Sequence, residues 1–182
     1  MGKIYVFLAD GFEEIEGLTV VDLTRRAALD VVTVSIMGRK EIAGAHRIMV
    51  QADELFENLD FEDADMLVLP GGMPGTLYLG KHAGLQKLLE TKMKENCPIS
   101  AICAAPSILG DMGILEGKRA VCYPGFEERL KGAVVTQNPV EVDGNITTSR
   151  GMGTAIAFGL AIIARFKGDE EADRIGKSVI WG

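Results

Sequence analysis

Four runs of strand length, residues 3–9, 30–36, 64–69 and 98–102, are apolar or β-branched almost throughout rather than on alternate positions. A strand with one wet face alternates, so continuous runs of this kind predict strands covered on both faces, as in a parallel sheet between helical layers. Between them lie segments with helical spacing. Residues 13–28 carry Ile15, Leu18, Val21 and Ala28, with acids early and Arg25-Arg26 late, and residues 84–96 carry Leu85, Leu88, Leu89 and Met93. This order predicts an α/β fold with a mostly parallel sheet and helices on both faces. Further on, residues 119–122 read as a short strand, residues 140–148 as a hairpin around Asp143-Gly144, and residues 154–166 and those from Asp169 as two closing helices. Residues 41–53, interrupted by Gly44, read as an edge ribbon. With 182 residues, 47% of them hydrophobic, and no internal repeat or low-complexity linker, one domain over residues 1–182 is expected.

A formal net charge of −7 and a pI near 4.9 offer no basic stripe to nucleic acid or to an anionic membrane, which leaves small molecules or other proteins as partners. Met1-Gly2-Lys3 runs straight into a strand-length segment, and no apolar stretch reaches spanning length, so a cytoplasmic protein is expected. Cys97, Cys103 and Cys122 are odd in number, and with two histidines their spacing suits no structural zinc site. Free thiols, with neither metal nor cofactor, are the expectation.

Residues 98–107, Pro-Ile-Ser-Ala-Ile-Cys-Ala-Ala-Pro-Ser, place Cys103 at a strand-to-helix junction. Such an elbow lifts a side chain above the sheet edge. There, unpaired N–H groups and the positive end of the following helix favour thiolate over thiol. Pro106 fits the first turn of that helix, where a missing N–H breaks no bond. Cys103 is a candidate nucleophile, and the other reading is a small buried hydrophobe. In open α/β sheets ligands gather at the carboxyl ends of strands. Residues 10–16, the loop Pro70-Gly71-Gly72-Met73-Pro74-Gly75, Cys103-Ala104 and Tyr123-Pro124 should all meet at that edge, the glycines freeing N–H groups to approach a ligand.

Gly11-Phe12-Glu13-Glu14-Ile15-Glu16, Leu69-Pro70-Gly71-Gly72, Ala101-Ile102-Cys103-Ala104-Ala105-Pro106 and Thr148-Ser149-Arg150-Gly151 together resemble the ThiJ/PfpI superfamily, specifically its DJ-one-like branch, and the resemblance spans essentially the whole chain. It implies a flavodoxin-like three-layer sandwich that forms a homodimer, a reactive Cys103, and Glu16 hydrogen-bonded to its sulfur. It also implies an oxyanion hole from the backbone N–H groups of Gly72 and Ala104. Beside a thiolate, Glu16 should hold its proton and donate it, because two anions at that range repel.

Better-known members of the superfamily place a histidine before proline near the cysteine, where this chain has Tyr123-Pro124. Tyr123 either hydrogen-bonds substrate or sulfur, or packs on the sheet with its hydroxyl wet. Peptidase-like relatives carry a histidine directly after the cysteine, and Ala104 stands there instead, so peptidase chemistry ranks low. His82 is expected on the surface. His46 is either solvent-facing or, by the resemblance, near a dimer interface and the partner's site. Two functions stay open: a glyoxalase- or deglycase-like enzyme acting on small carbonyls such as methylglyoxal, or a protein whose Cys103 is oxidised by peroxide towards sulfinic acid.

Overall fold

Along the strand Lys3–Leu8 (β1), Ile4, Val6 and Leu8 enter one apolar layer while Tyr5 and Phe7 enter another, which is why the run is continuous in sequence. The computed structural model describes residues 2–182. After β1 come α1 (Glu14–Arg26), β2 (Val31–Ser35), β3 (Glu41–Ala43), β4 (Met49–Gln51), β5 (Glu54–Leu55), β6 (Ala64–Leu69), α2 (Gly75–Lys81) and α3 (Ala83–Lys94). They are followed by β7 (Ile99–Ile102), α4 (Pro106–Asp111), β8 (Arg119–Ala120), β9 (Val134–Val135), β10 (Val140–Asp143), β11 (Ile146–Ser149), α5 (Ala155–Lys167) and α6 (Asp169–Ser178). The central sheet has seven strands in the order β10-β11-β7-β6-β1-β2-β5. All its neighbours are parallel except the β10–β11 hairpin, in which Asp143 faces Ile146.

One core layer sets Val20 and Leu23 of α1, Phe158 and Ile162 of α5 and Ile175 of α6 against Ile4, Val6 and Val68. The other sets Leu79 of α2, Leu85 and Leu89 of α3 and Leu109 of α4 against Tyr5, Phe7 and Leu67. From β1 the chain first moves outward to β2 and then returns to the opposite side of β1 as β6. The carboxyl ends of β1 and β6 thus flank the point where strand order reverses, the place where open α/β sheets leave a crevice.

Several local expectations shift. The ribbon at residues 41–53 is a separate antiparallel hairpin, β3–β4, and the sheet edge is the two-residue β5 instead. The hairpin leaves the sheet because Asp10, at the end of β1, accepts from the Ala43 N–H at 3.0 Å and pairs with Arg39 at 2.5 Å, folding it over the start of α1. Only Arg119 and Ala120 of the expected strand at 119–122 are laddered, and they pair with β9 outside the main sheet. Val121 N–H goes to the Thr148 hydroxyl instead, at 2.9 Å. Helix α2 carries too little periodicity to read from sequence, since Leu79 is buried but Leu77 and Tyr78 are exposed. Among the described residues no helix is long and apolar enough to cross a membrane.

Phe158 is fully buried between α5 and the sheet. Phe158→Ala should therefore lower unfolding stability by about 3–5 kcal/mol, read as a fall in urea midpoint at unchanged slope.

Candidate active site

Strand β7 ends at Ile102, and α4 starts only at Pro106. The expected direct strand-to-helix junction is thus a three-residue turn, Cys103-Ala104-Ala105, and α4 is short. Cys103 begins that turn with φ +65°, in the left-handed region. For a side chain with a Cβ this costs roughly 1–2 kcal/mol, so the surroundings must hold it there. They do so from two directions: Cys103 N–H donates to Ser149 of β11 at 2.9 Å, and Tyr123 N–H donates to the Cys103 carbonyl at 2.8 Å. The sulfur is thereby set among three polar groups, the Gly72 and Ala104 N–H groups and the Glu16 carboxyl. Cys97 and Cys122 are buried elsewhere, without a carboxyl hydrogen-bonded to their sulfur.

Glu16 lies in the first turn of α1 but points inward, 1% exposed, and its Oε2 accepts the Gly71 N–H at 3.0 Å. Two glycines make this approach possible. A Cβ on Gly71 would sit 2.5 Å from Cys103 Cβ and 2.6 Å from Glu16 Oε2. Gly72 has φ +90°, and a Cβ there would fall on the Glu13 backbone nitrogen. The loops after β1 and β6 are in fact joined backbone to backbone, with Glu13 N–H donating to Gly71 at 2.9 Å.

Burial pushes the Glu16 carboxyl up to about 7, against the hydrogen bonds from Cys103 and Gly71 that favour its anion. Burial also pushes the Cys103 thiol up to about 12; an ionised Glu16 adds to the rise, and the Gly72 and Ala104 N–H groups oppose it. The pair therefore gives up one proton near neutrality and keeps a second, shared between sulfur and carboxyl. The sulfur has two N–H donors and the carboxylate one, and a diffuse sulfur anion is less costly to bury than a compact carboxylate. Both effects draw the retained proton toward Glu16, against the order of the two values, in which the carboxyl is the stronger acid.

The outer residues divide. Tyr123 is 51% exposed, and its ring lies over Gly151, where a Cβ would come within 3.2 Å of the ring and 3.7 Å of Glu16 Oε1. It borders the site through that ring and reaches Cys103 through its backbone. His46 is not at the sulfur of its own chain: its Nδ1 is 2.9 Å from Glu14 and 3.6 Å from Glu13. Glu14, 4% exposed, also accepts the backbone N–H groups of His46 at 2.8 Å and Ile48 at 3.4 Å. Burial works against its charge, yet these bonds hold its carboxyl below the usual range, and the same contact raises the His46 pKa. Glu13, Glu14 and His46 bring three metal-type donor atoms within 4.8 Å of one another, but His46 and Glu14 are already bonded to each other. His82 caps α3, accepting from Leu85 N–H at 3.0 Å.

A model of the DJ-1/PfpI family matches residues 2–165. The chain belongs to that family. Protein DJ-1 homolog B of Arabidopsis thaliana is 33% identical over 179 residues, 98% of this chain but 41% of that protein, and homolog A aligns over 46% of its own length. The chain thus spans less than half of these plant relatives. Protein dj-1beta of Drosophila melanogaster is 32% identical, with 96% of this chain and 95% of that protein aligned. Among solved structures, oxidised Toxoplasma gondii DJ-1 superposes with a TM-score of 0.96 at 32% identity over 100% of both chains. The flavodoxin-like sandwich expected from sequence is the fold of these DJ-1 neighbours.

Three contributions to this DJ-1/PfpI site escape a sequence reading. The Gly71 N–H on Glu16, the Ser149 carbonyl on Cys103 and the burial of Glu14 all join residues more than 30 apart. Backbone donors and acceptors leave no residue-type signal. Glu14 of α1 has room only because Gly44, just after β3, lacks a Cβ, and that contact joins a helix to a ribbon 30 residues away.

A neutral Glu16 donating to sulfur stabilises thiolate, whereas loss of that donor disfavours it. The apparent pKa for thiolate formation should rise in the order wild type, Glu16→Gln, Glu16→Leu, followed by thiolate absorbance. A Glu16→Leu value at or below wild type would place the retained proton on sulfur.

Proposed function

We propose that Cys103 is the nucleophile of a cofactor-independent enzyme acting on small reactive carbonyls, of the glyoxalase or deglycase type. The arrangement that carries this is one sulfur set beside a buried carboxyl with a pKa near 7 and facing the backbone N–H groups of Gly72 and Ala104. A nucleophile, a proton carrier poised at the working pH and donors for developing charge are what such a reaction requires. A relative of 31% identity, aligned over 86% of this chain, is named a deglycase of Pyrococcus abyssi.

With methylglyoxal, the Cys103 thiolate adds to the aldehyde carbon; the C=O pair moves to oxygen, which takes the Glu16 proton and gives a hemithioacetal. Glu16, now ionised, removes the proton on that carbon and returns it to the neighbouring carbon, while the hydroxyl proton passes to the neighbouring oxygen. The first carbon is oxidised as the second is reduced, and a thioester results. Water cleaves it to lactate and restores the thiol, so the sum is methylglyoxal plus water to lactate plus a proton, without an external oxidant. His46 bonds to Glu14 and His82 caps α3, which weighs against a Cys-His peptidase. A cytoplasmic setting, which keeps thiols reduced, suits this chemistry.

A second reading draws on the same donors: protonated Glu16 and the Gly72 and Ala104 N–H groups would equally stabilise a sulfinate formed by peroxide. One of the superposing DJ-1 structures is described as oxidised. The two are separated by assay. Steady conversion of methylglyoxal to lactate, lost on the order of a thousandfold or more in Cys103→Ala, is the expected result. No turnover, with peroxide converting Cys103 alone to sulfinic acid, would replace the first reading by the second.

We also propose that the chain acts as a homodimer. Ile15 and Leu18 on the outer side of α1 and Ile48 and Met49 on the ribbon are exposed, and Glu14 joins the two elements. Ile42 of the same ribbon points into the core instead. Sedimentation velocity at micromolar concentration should show the dimer, and Ile48→Asp should shift it to monomer; wild-type protein that is only monomeric would remove the claim.

A further inference from the structure

Of nine arginines, seven have a carboxylate or carbonyl partner, among them Arg25 with Asp53, Arg129 with Asp111 and Arg165 with Gly144. Two have none for their side chains among the described residues, Arg47 at the ribbon tip and Arg150. Arg150 stands in a distinctive place. It follows Ser149, whose carbonyl receives the Cys103 N–H, so its Cα is level with the elbow and one strand away. With Tyr123, Pro124 and residues 151–154 it lines an open cleft of about 350 Å³, in which it is the only charged residue. That cleft abuts the reactive pair, because Gly151 lies between the Tyr123 ring and Glu16 Oε1. Arg150, half-buried, without a side-chain partner among the described residues and lining a cleft that borders Glu16, is a place for an anion in a chain of net charge −7.

We propose that Arg150 binds the carboxylate of a substrate whose aldehyde end meets Cys103, so that the favoured carbonyls are 2-oxoaldehydes bearing a carboxylate two or three carbons away. This rests on Cys103 as nucleophile and names the substrate class that the cleft selects. A suitable probe is 4,5-dioxopentanoate. Thiolate addition to its aldehyde, internal proton transfer and hydrolysis, as for methylglyoxal, convert it with one water to 2-hydroxyglutarate and a proton. Arg150 makes no bond to a reacting atom. It holds the far end of the substrate and so lowers KM chiefly, with kcat affected less.

The test has two arms. In the first, Cys103 is alkylated with iodoacetate and with iodoacetamide, which differ in charge and need no turnover. The iodoacetate-to-iodoacetamide rate ratio should fall about fivefold in Arg150→Gln and in high salt, and be retained in Arg150→Lys. In the second, kcat/KM for 4,5-dioxopentanoate relative to methylglyoxal should fall at least about tenfold in Arg150→Gln, mostly through KM, with partial recovery in Arg150→Lys, which keeps the charge but not the two-pronged geometry. An alkylation ratio indifferent to Arg150 overturns the proposal. A ratio that responds while neither aldehyde is turned over supports the anion site and rejects the enzymatic reading instead.

Discussion

The arrangement depends on a cysteine held in a backbone conformation it would not choose. At φ +65° Cys103 is strained by itself, and the strain is sustained because its N–H and C=O are both taken by other parts of the chain, Ser149 at the end of β11 and Tyr123 beyond β8. The position of the sulfur therefore relies on the parallel register of β7 with β11, in which Ile102 faces Ser149. It relies also on the Thr148 hydroxyl, which draws Val121 across the strand ends and so fixes where Tyr123 lies. The placement of this sulfur is a product of three strand ends rather than of its own turn.

From that fixed point the chemistry follows by proximity. The loops after β1 and β6 close on each other at the reversal of strand order, and only residues without a Cβ let Gly71 and Gly72 bring their N–H groups to Glu16 and to the sulfur. Water is excluded by the same closeness. Desolvation is the largest influence on both Glu16 and Cys103, and it turns two ordinary acids into a pair that shares a proton near neutral pH. A site more open by one side chain would leave each group near its solution value and lose the coupling.

Around the pair, charged residues do different work from what their types suggest. The buried Glu14 and the partly buried Asp10 tie the β3–β4 hairpin to the end of β1 and the start of α1. His46, a residue type associated with acid–base catalysis, is occupied by Glu14. Arg150, whose type is usually paired, is left facing a cleft. Residue identity alone assigns none of these roles, because each is set by what the fold leaves within reach.

Composition and order by themselves determined a good deal. Continuous apolar runs require strands covered on both faces, and helices between them require right-handed parallel crossovers, so the sandwich and the edge carrying the site were legible without coordinates. Cys103 and the Pro-Gly-Gly loop stood out as local strings, and Glu16 only through the family resemblance. Tertiary structure alone decided the rest: the three-residue turn before α4, the hairpin drawn out of the sheet by Asp10, the burial of Glu14, and the unpaired state of Arg150. The reason is physical. Periodicity records which face of an element is dry, a property of neighbours along the chain. Hydrogen-bond partners and desolvation are set by residues 30 to 60 positions apart, whose meeting leaves no trace in local sequence.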